Sequence, residues 1–228
     1  MVTINTESLA ETLDDVNDAF FYERVLTESK RKEVAKWIAE LRGKLGSYAG
    51  MFAPTSIDRS NGVKVFTGEM VRSSAAIAHV LGEEACRALI LLGVADTAVK
   101  DALDRATHGM LHRLRQTENA GKVHGIYCCG VCSVAYWRHV MVGGLDRNEE
   151  RLAAAMKALK AHRTSNGRWR RFPFYYTLLA LSEIDLKPAL DEMRYAAPVL
   201  ERYVRRTIRD SKFSERRSVI SERVLAKC

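Results

Sequence analysis

The chain has 228 residues, 47% of them hydrophobic and 28% charged, and a formal net charge of +8. That length and mixture suit one domain with a sizeable core, and no apolar stretch reaches the roughly 18 to 20 residues that a membrane span needs. Five cysteines, three of them crowded at Cys128, Cys129 and Cys132, do not form the evenly spread framework of a secreted disulfide protein, so reduced thiols and a cytoplasmic location are expected.

Residues 6 to 26 carry Leu9, Leu13, Val16, Phe20 and Val25 near helical period, and Val34, Trp37, Ile38, Leu41 and Leu45 repeat the pattern, which predicts two helices. Gly50 to Gly68 holds Pro54, Asn61-Gly62 and several hydroxyl residues, so it reads as a long loop or a short hairpin flanking Val63, Val65 and Phe66. From Val71 onward, Ala75, Ala78, Leu81, Ala85, Leu89 and Leu92 form one stripe, broken by Gly82 and a fresh acidic start at Glu83-Glu84, so one kinked helix or two short ones are expected. Asp146-Arg-Asn-Glu149 has capping-box spacing, and a helix opened there would close at Asn166-Gly167. Pro173 suits the first turn of the next helix, whereas Pro198 predicts a kink or restart. Long alternating β-branched runs are absent, so the fold class is expected to be all-α.

One pattern recurs along these helices. A helix ends in a basic turn, a Gly follows near a polar hairpin, and an aromatic run opens the next helix: Trp37 to Phe52, Leu111 through Gly121 to Tyr127, and Leu159 through Gly167-Arg-Trp169 to Tyr176. The last two glycines are 46 residues apart and the first lies 75 residues earlier, so the periodicity is imperfect. A single helical domain over residues 1–228 is expected, with N-terminal helices and a loop over 1–60, the clearest hairpins over 105–205 and a basic tail over 206–228. Residues 163–228 hold 15 Lys/Arg against 8 Asp/Glu, so the charge excess is C-terminal. Arg202, Arg205, Arg206, Arg209 and Lys212 recur at helical spacing, and that face would either meet nucleic acid or an acidic partner or be a solvated last helix.

The stretches Gly167-Arg-Trp169-Arg-Arg-Phe-Pro-Phe-Tyr-Tyr-Thr177 and Gly125-Ile-Tyr-Cys-Cys-Gly-Val-Cys-Ser-Val-Ala-Tyr-Trp137 resemble repeats of the α/α-toroid superfamily, which includes squalene and hopene cyclases and protein prenyltransferase β subunits. The resemblance implies helical hairpins forming an open or incomplete toroid, since the chain is short for a closed ring. It also implies a cavity for an apolar, isoprenoid or diphosphate-bearing ligand, lined by Tyr127, Trp137, Trp169, Phe174, Tyr175 and Tyr176, and, if the protein is an enzyme, transferase or lyase chemistry. Core packing is the other explanation of those aromatic residues. Arg168, Arg170 and Arg171 flank Trp169, and the forks of Arg168 and Arg171 would grip a diphosphate. The Asp-rich acid sequence of the cyclases is missing, and the position two before Cys132 is Gly130 where the prenyltransferases have a zinc-binding Asp.

Apart from any family, His124, Cys128, Cys129 and Cys132 put four soft or borderline ligands within nine positions. Zinc binding by these four is one reading, a reactive thiol at Cys132 activated by His124 is another, and close-packed core sulfur is a third. His79 stands alone in the sequence and reads as a satisfied histidine.

Overall fold

In a computed structural model, described over residues 2–118, 123–205 and 210–228, ten helices and one small hairpin account for the regular structure. The helices are α1 (Leu9–Phe21), α2 (Glu28–Glu40), α3 (Ser56–Asn61), α4 (Ser74–Leu92), α5 (Thr97–Thr117), α6 (Gly130–Met141), α7 (Asn148–Lys160), α8 (Phe174–Glu183), α9 (Lys187–Val204) and α10 (Lys212–Lys227). Between α3 and α4, β1 (Val63–Lys64) and β2 (Met70–Val71) pair antiparallel. The all-α expectation therefore holds. No described helix is long and apolar enough to cross a membrane.

Local chemistry sets the helix starts. Ser8 and Thr27 accept the N–H groups of Glu11 and Lys30 as N-caps of α1 and α2. Asp58 completes a capping box with Thr55 at α3, and its carboxylate also accepts from Ser8 Oγ and the Leu9 N–H, so one buried acid ties the starts of α1 and α3 together. Beyond α1 and α2, Val25 and Leu45 extend past the stripes and are exposed.

Four details depart from the sequence expectations. Helix α4 is continuous through Gly82, where Met51 packs so closely that a Cβ would lie 2.8 Å from its methyl carbon. No capping box opens α7: Arg147 occupies the N-cap position at φ 53°, because the Asp146 carboxylate and carbonyl are both taken by Arg151. The same helix ends at Lys160, and Gly167 sits instead in a turn closed by the Arg163–Trp169 bridge. Helix α9 continues through the exposed Pro198 to Val204 and does not restart there. An equivalent bridge, Arg42–Phe52, closes the turn after α2, whereas Gly121 of the middle copy lies outside the described residues.

Packing follows two tracks. Helix α1 packs on α4, α4 on α6, α6 on α8 and α8 on α10, while α2 packs on α5 and α7 on α9. The first track returns to its start through ion pairs, since Arg216 of α10 is buried and meets Asp14 and Asp18 of α1 at 2.7 and 2.9 Å. The segment expected to be a basic tail thus holds a packed helix. Lys212 pairs with Asp14, Arg217 donates to Thr67 O, and Arg223 donates to Phe21 O at the end of α1. Arg202 and Arg205 of the expected basic face end α9, and Arg206 and Arg209 lie outside the described residues.

Candidate functional site

Two polar centres draw on α4 and α6. The first is built where the chain enters α6. Cys128 adopts φ 65° and Cys129 is the N-cap residue, so the turn projects three sulfurs around the first turn of the helix. Ser133 holds the turn: its hydroxyl accepts the Tyr127 N–H at 2.9 Å and lies 2.7 Å from Cys129 O. Gly130 permits the approach of the next hairpin, because a Cβ there would lie 2.0 Å from Arg171 O. Cys129 Sγ is 3.4 Å from Cys132 Sγ, with Cys129 exposed and Cys132 fully buried.

His79 of α4 completes the group. Among the described residues, one of its ring nitrogens and the sulfurs of Cys128 and Cys132 all lie within 4.8 Å of one another. The imidazole is fully buried, stacked at 4.3 Å on Tyr48 and edge-on to Tyr127. Its Nε2 lies 3.1 Å from Glu83 Oε1, and its Nδ1 has no hydrogen-bond partner. The other Glu83 oxygen meets His139 Nδ1 at 2.6 Å, and His139 Nε2 is likewise unpartnered. A carboxylate that accepts from one ring nitrogen fixes the tautomer and leaves a lone pair on the other, the arrangement that supports metal-ligating histidines.

The electrostatics follow the geometry. Burial would raise the Glu83 carboxyl, but hydrogen bonds from His139 and His79 outweigh it and hold the group at about 2. The Cys129 thiol is lowered to about 5, chiefly by its contact with Cys132 and against the effect of burial, with the backbone N–H groups of Cys132 and Val131 assisting. Cys132 is pushed up by that same contact and by burial.

Of the metal set expected from sequence, Cys128 and Cys132 enter the three-residue group; Cys129 touches Cys132 but is not part of that group, and His124 is exposed and outside it. The histidine that takes part is His79, 49 residues from Cys128 in sequence. Its signal was the helical spacing of His79 and Glu83, which puts an acid beneath the ring. His124 and Cys132, expected as base and nucleophile, are therefore not a buried pair.

The expected ligand-binding residues are distributed through several environments. Tyr127 packs with Tyr48, His79 and Tyr136. Trp137 is buried, stacked on Phe172, and donates to Gly125 O at 2.9 Å. Trp169 donates to the buried Glu192 and packs on Phe174, over which the Arg168 guanidinium lies at 4.3 Å. Tyr175 and Arg168 help to line a surface groove of about 350 Å³ with Arg202 and Tyr203. Arg171 is exposed at φ 71°.

Tyr176 belongs to the second centre, a charged network shared by α1, α4, α6 and α8. Arg138 of α6 pairs with Glu183 at 2.9 and 3.0 Å and with Glu84, and Glu84 also accepts from the Tyr176 hydroxyl. Arg87 of α4 donates to Asn17 at 2.7 Å and to Glu183 at 2.9 Å, and Asn17 donates to Glu84 at 3.2 Å. The paired guanidiniums of Arg138 and Arg87 pull the Glu183 carboxyl down against burial. On one side of this network lies a cavity of about 590 Å³. Asn17, Leu91, Arg138, Leu179 and Arg223 each reach it from a different helix of the first track, and each comes from the C-terminal half of its helix. Arg87 also lines it, and with Nη1 and Nη2 engaged its buried Nε has no hydrogen-bond partner. None of the eight residues expected to bind ligand lines this cavity. No feature of the sequence stripes separated Arg87 and Arg138 from surface basic residues.

No protein-family model, no curated protein and no solved structure matches the chain.

The depressed Glu83 carboxyl makes stability depend on acid pH. Glu83 is ionised when folded and takes up its proton more readily when unfolded, so its contribution is complete above pH about 4.5 and is lost as pH falls towards about 2. The shift corresponds to stabilisation on the order of 3 kcal/mol. Denaturant unfolding across that window should show a steeper loss for the wild type than for Glu83→Gln; parallel curves would refute the assignment.

Proposed function

We propose that the chain is a toroid-like helical protein that binds an amphipathic ligand with an anionic head, such as an isoprenoid diphosphate, in the cavity at the C-terminal ends of α1, α4, α6, α8 and α10. The observation that carries this reading is the set of cationic side chains on the cavity wall, Arg87 among them. Guanidinium and ammonium groups pair with an entering oxyanion through charge-assisted hydrogen bonds. Arg138, Arg223 and Lys227 line the same space with Glu183 and Glu23 as the acids, so the lining is net cationic. Phe20, Phe21, Leu91 and Leu179 offer the apolar body a surface.

The packing order supports the toroid part of the reading. Helices α1, α4, α6, α8 and α10 pack in succession, α2, α5, α7 and α9 each pack on members of that series or on one another, and Arg216 joins the last helix to the first. The alternative, a basic module for nucleic acid or an acidic partner, is less favoured because Lys212 of the expected basic face pairs with Asp14 of its own chain.

A second reading has its own observation. His79, with a buried and unpartnered Nδ1 and one ring nitrogen within 4.8 Å of the Cys128 and Cys132 sulfurs, fits a divalent ion, and zinc is the ion these three donors suit best. His79, Cys128 and Cys132 would hold it, with Glu83 orienting the imidazole. Bound there, zinc would supply a Lewis acid with a fourth position open.

Calorimetric titration with farnesyl diphosphate and with farnesol tests the cavity. The diphosphate should bind at least about tenfold more tightly, a difference of about 1.4 kcal/mol, and Leu91→Trp, which fills the space, should weaken both. Equal affinities, or no binding of either, would overturn the reading. For the metal, elemental analysis of untagged protein should give near-stoichiometric zinc that is lost in Cys128→Ser and in His79→Ala but kept in His124→Ala. Metal-free protein, or loss in the His124 variant alone, would contradict it.

A further inference from the structure

The three sulfurs at the start of α6 differ in accessibility, and that difference matters for covalent chemistry. Cys129 is exposed at the N-cap, Cys132 is fully buried one turn on, and their sulfurs are 3.4 Å apart. A disulfide needs about 2.05 Å, so closing the bond requires a shift well within a side-chain rotation at the first turn. Cys129 is the N-cap residue of α6, at the helix start. Neither ligand binding in the cavity nor a zinc site requires this pairing of one exposed and one buried thiol.

We propose that Cys129 and Cys132 are a redox-active dithiol that reduces low-molecular-weight disulfides, with Cys129 attacking and Cys132 resolving. The Cys129 thiolate attacks one sulfur of R–S–S–R, forming a Cys129–S–S–R mixed disulfide and releasing R–S⁻. Cys132 then attacks Cys129 Sγ, the mixed S–S bond breaks, and the second R–S⁻ leaves; the Cys132 proton ends on a released thiolate. Two electrons pass from the dithiol to the disulfide, giving one R–SH, one R–S⁻ that takes a proton from solvent, and the Cys129–Cys132 bond. Burial allows Cys132 to reach the bound sulfur but not the bulk reagent, which fixes the order of the two steps. Cys128, exposed and next in sequence, is the neighbour from which the test must separate Cys129.

The test uses the reduced full chain with glutathione disulfide in the presence of EDTA, so that its outcome is independent of zinc and of the cavity. Intact-mass analysis of the wild type should show loss of two hydrogens, no lasting adduct and release of two glutathione thiols. Cys132→Ser should accumulate one glutathione adduct that peptide mapping places on Cys129. Cys132→Ala is the second resolving variant and should trap the same adduct should serine disturb the core. Cys129→Ser, a conservative change at an exposed cap, should react at least about tenfold more slowly. An adduct on Cys128 or Cys228 in the Cys132 variants, a wild type that keeps its adduct, or a Cys129→Ser variant as fast as wild type would overturn the proposal.

Discussion

The architecture depends on one buried guanidinium. Arg138 is almost wholly excluded from solvent, and removing its charge from water costs several kcal/mol unless carboxylates and hydrogen bonds replace the hydration. Glu183 supplies a two-point partner and Glu84 a second acid, and each is held by further groups: Arg87 on Glu183, Asn17 and Tyr176 on Glu84. These groups come from α1, α4, α6 and α8. A slip of any one helix by a turn would strand a charge, so the network fixes the register that apolar packing alone leaves tolerant.

That register also positions both candidate sites. On α4, His79 and Glu83 face the cysteines while Glu84, Arg87 and Leu91 face the network and its cavity. On α6, Cys132 and His139 belong to the first centre and Arg138 to the second. The two helices are buried nearly all round, so each carries polar groups on two faces and pairs them across the interface. Of the five buried side-chain atoms without a hydrogen-bond partner among the described residues, His79 Nδ1, His139 Nε2 and Arg87 Nε belong to these two helices, and Arg59 Nε and Asn148 Oδ1 lie elsewhere. The charged network and the two candidate sites thus draw on the same pair of helices.

Helix positions were legible where a single stripe faces the core. Leu9, Leu13 and Val16 in α1, Val34 and Ile38 in α2, and Leu152, Met156 and Leu159 in α7 all lie buried as their spacing requires. The ends were less so, because they were decided by contacts distant in sequence: Arg151 removed Asp146 from capping α7, and Met51 packed over Gly82. The sulfur triplet was legible as a cluster because its members are adjacent in sequence. Its histidine was not, since His124 is near in sequence but exposed, while His79 arrives from another helix with only the Glu83 spacing to mark it. Arg87, Arg138 and Arg216 were hidden for a general reason, that composition counts a buried arginine as a surface charge.

Equilibrium unfolding of Arg138→Met bears most directly on the claim that this network sets the helix register. Methionine keeps much of the side-chain volume and removes the charge, leaving Glu84 and Glu183 short of a partner. A loss of about 3–5 kcal/mol is expected, with Arg202→Met as an exposed control close to wild type. An Arg138→Met protein as stable as the wild type, with the same cooperativity, would contradict the claim.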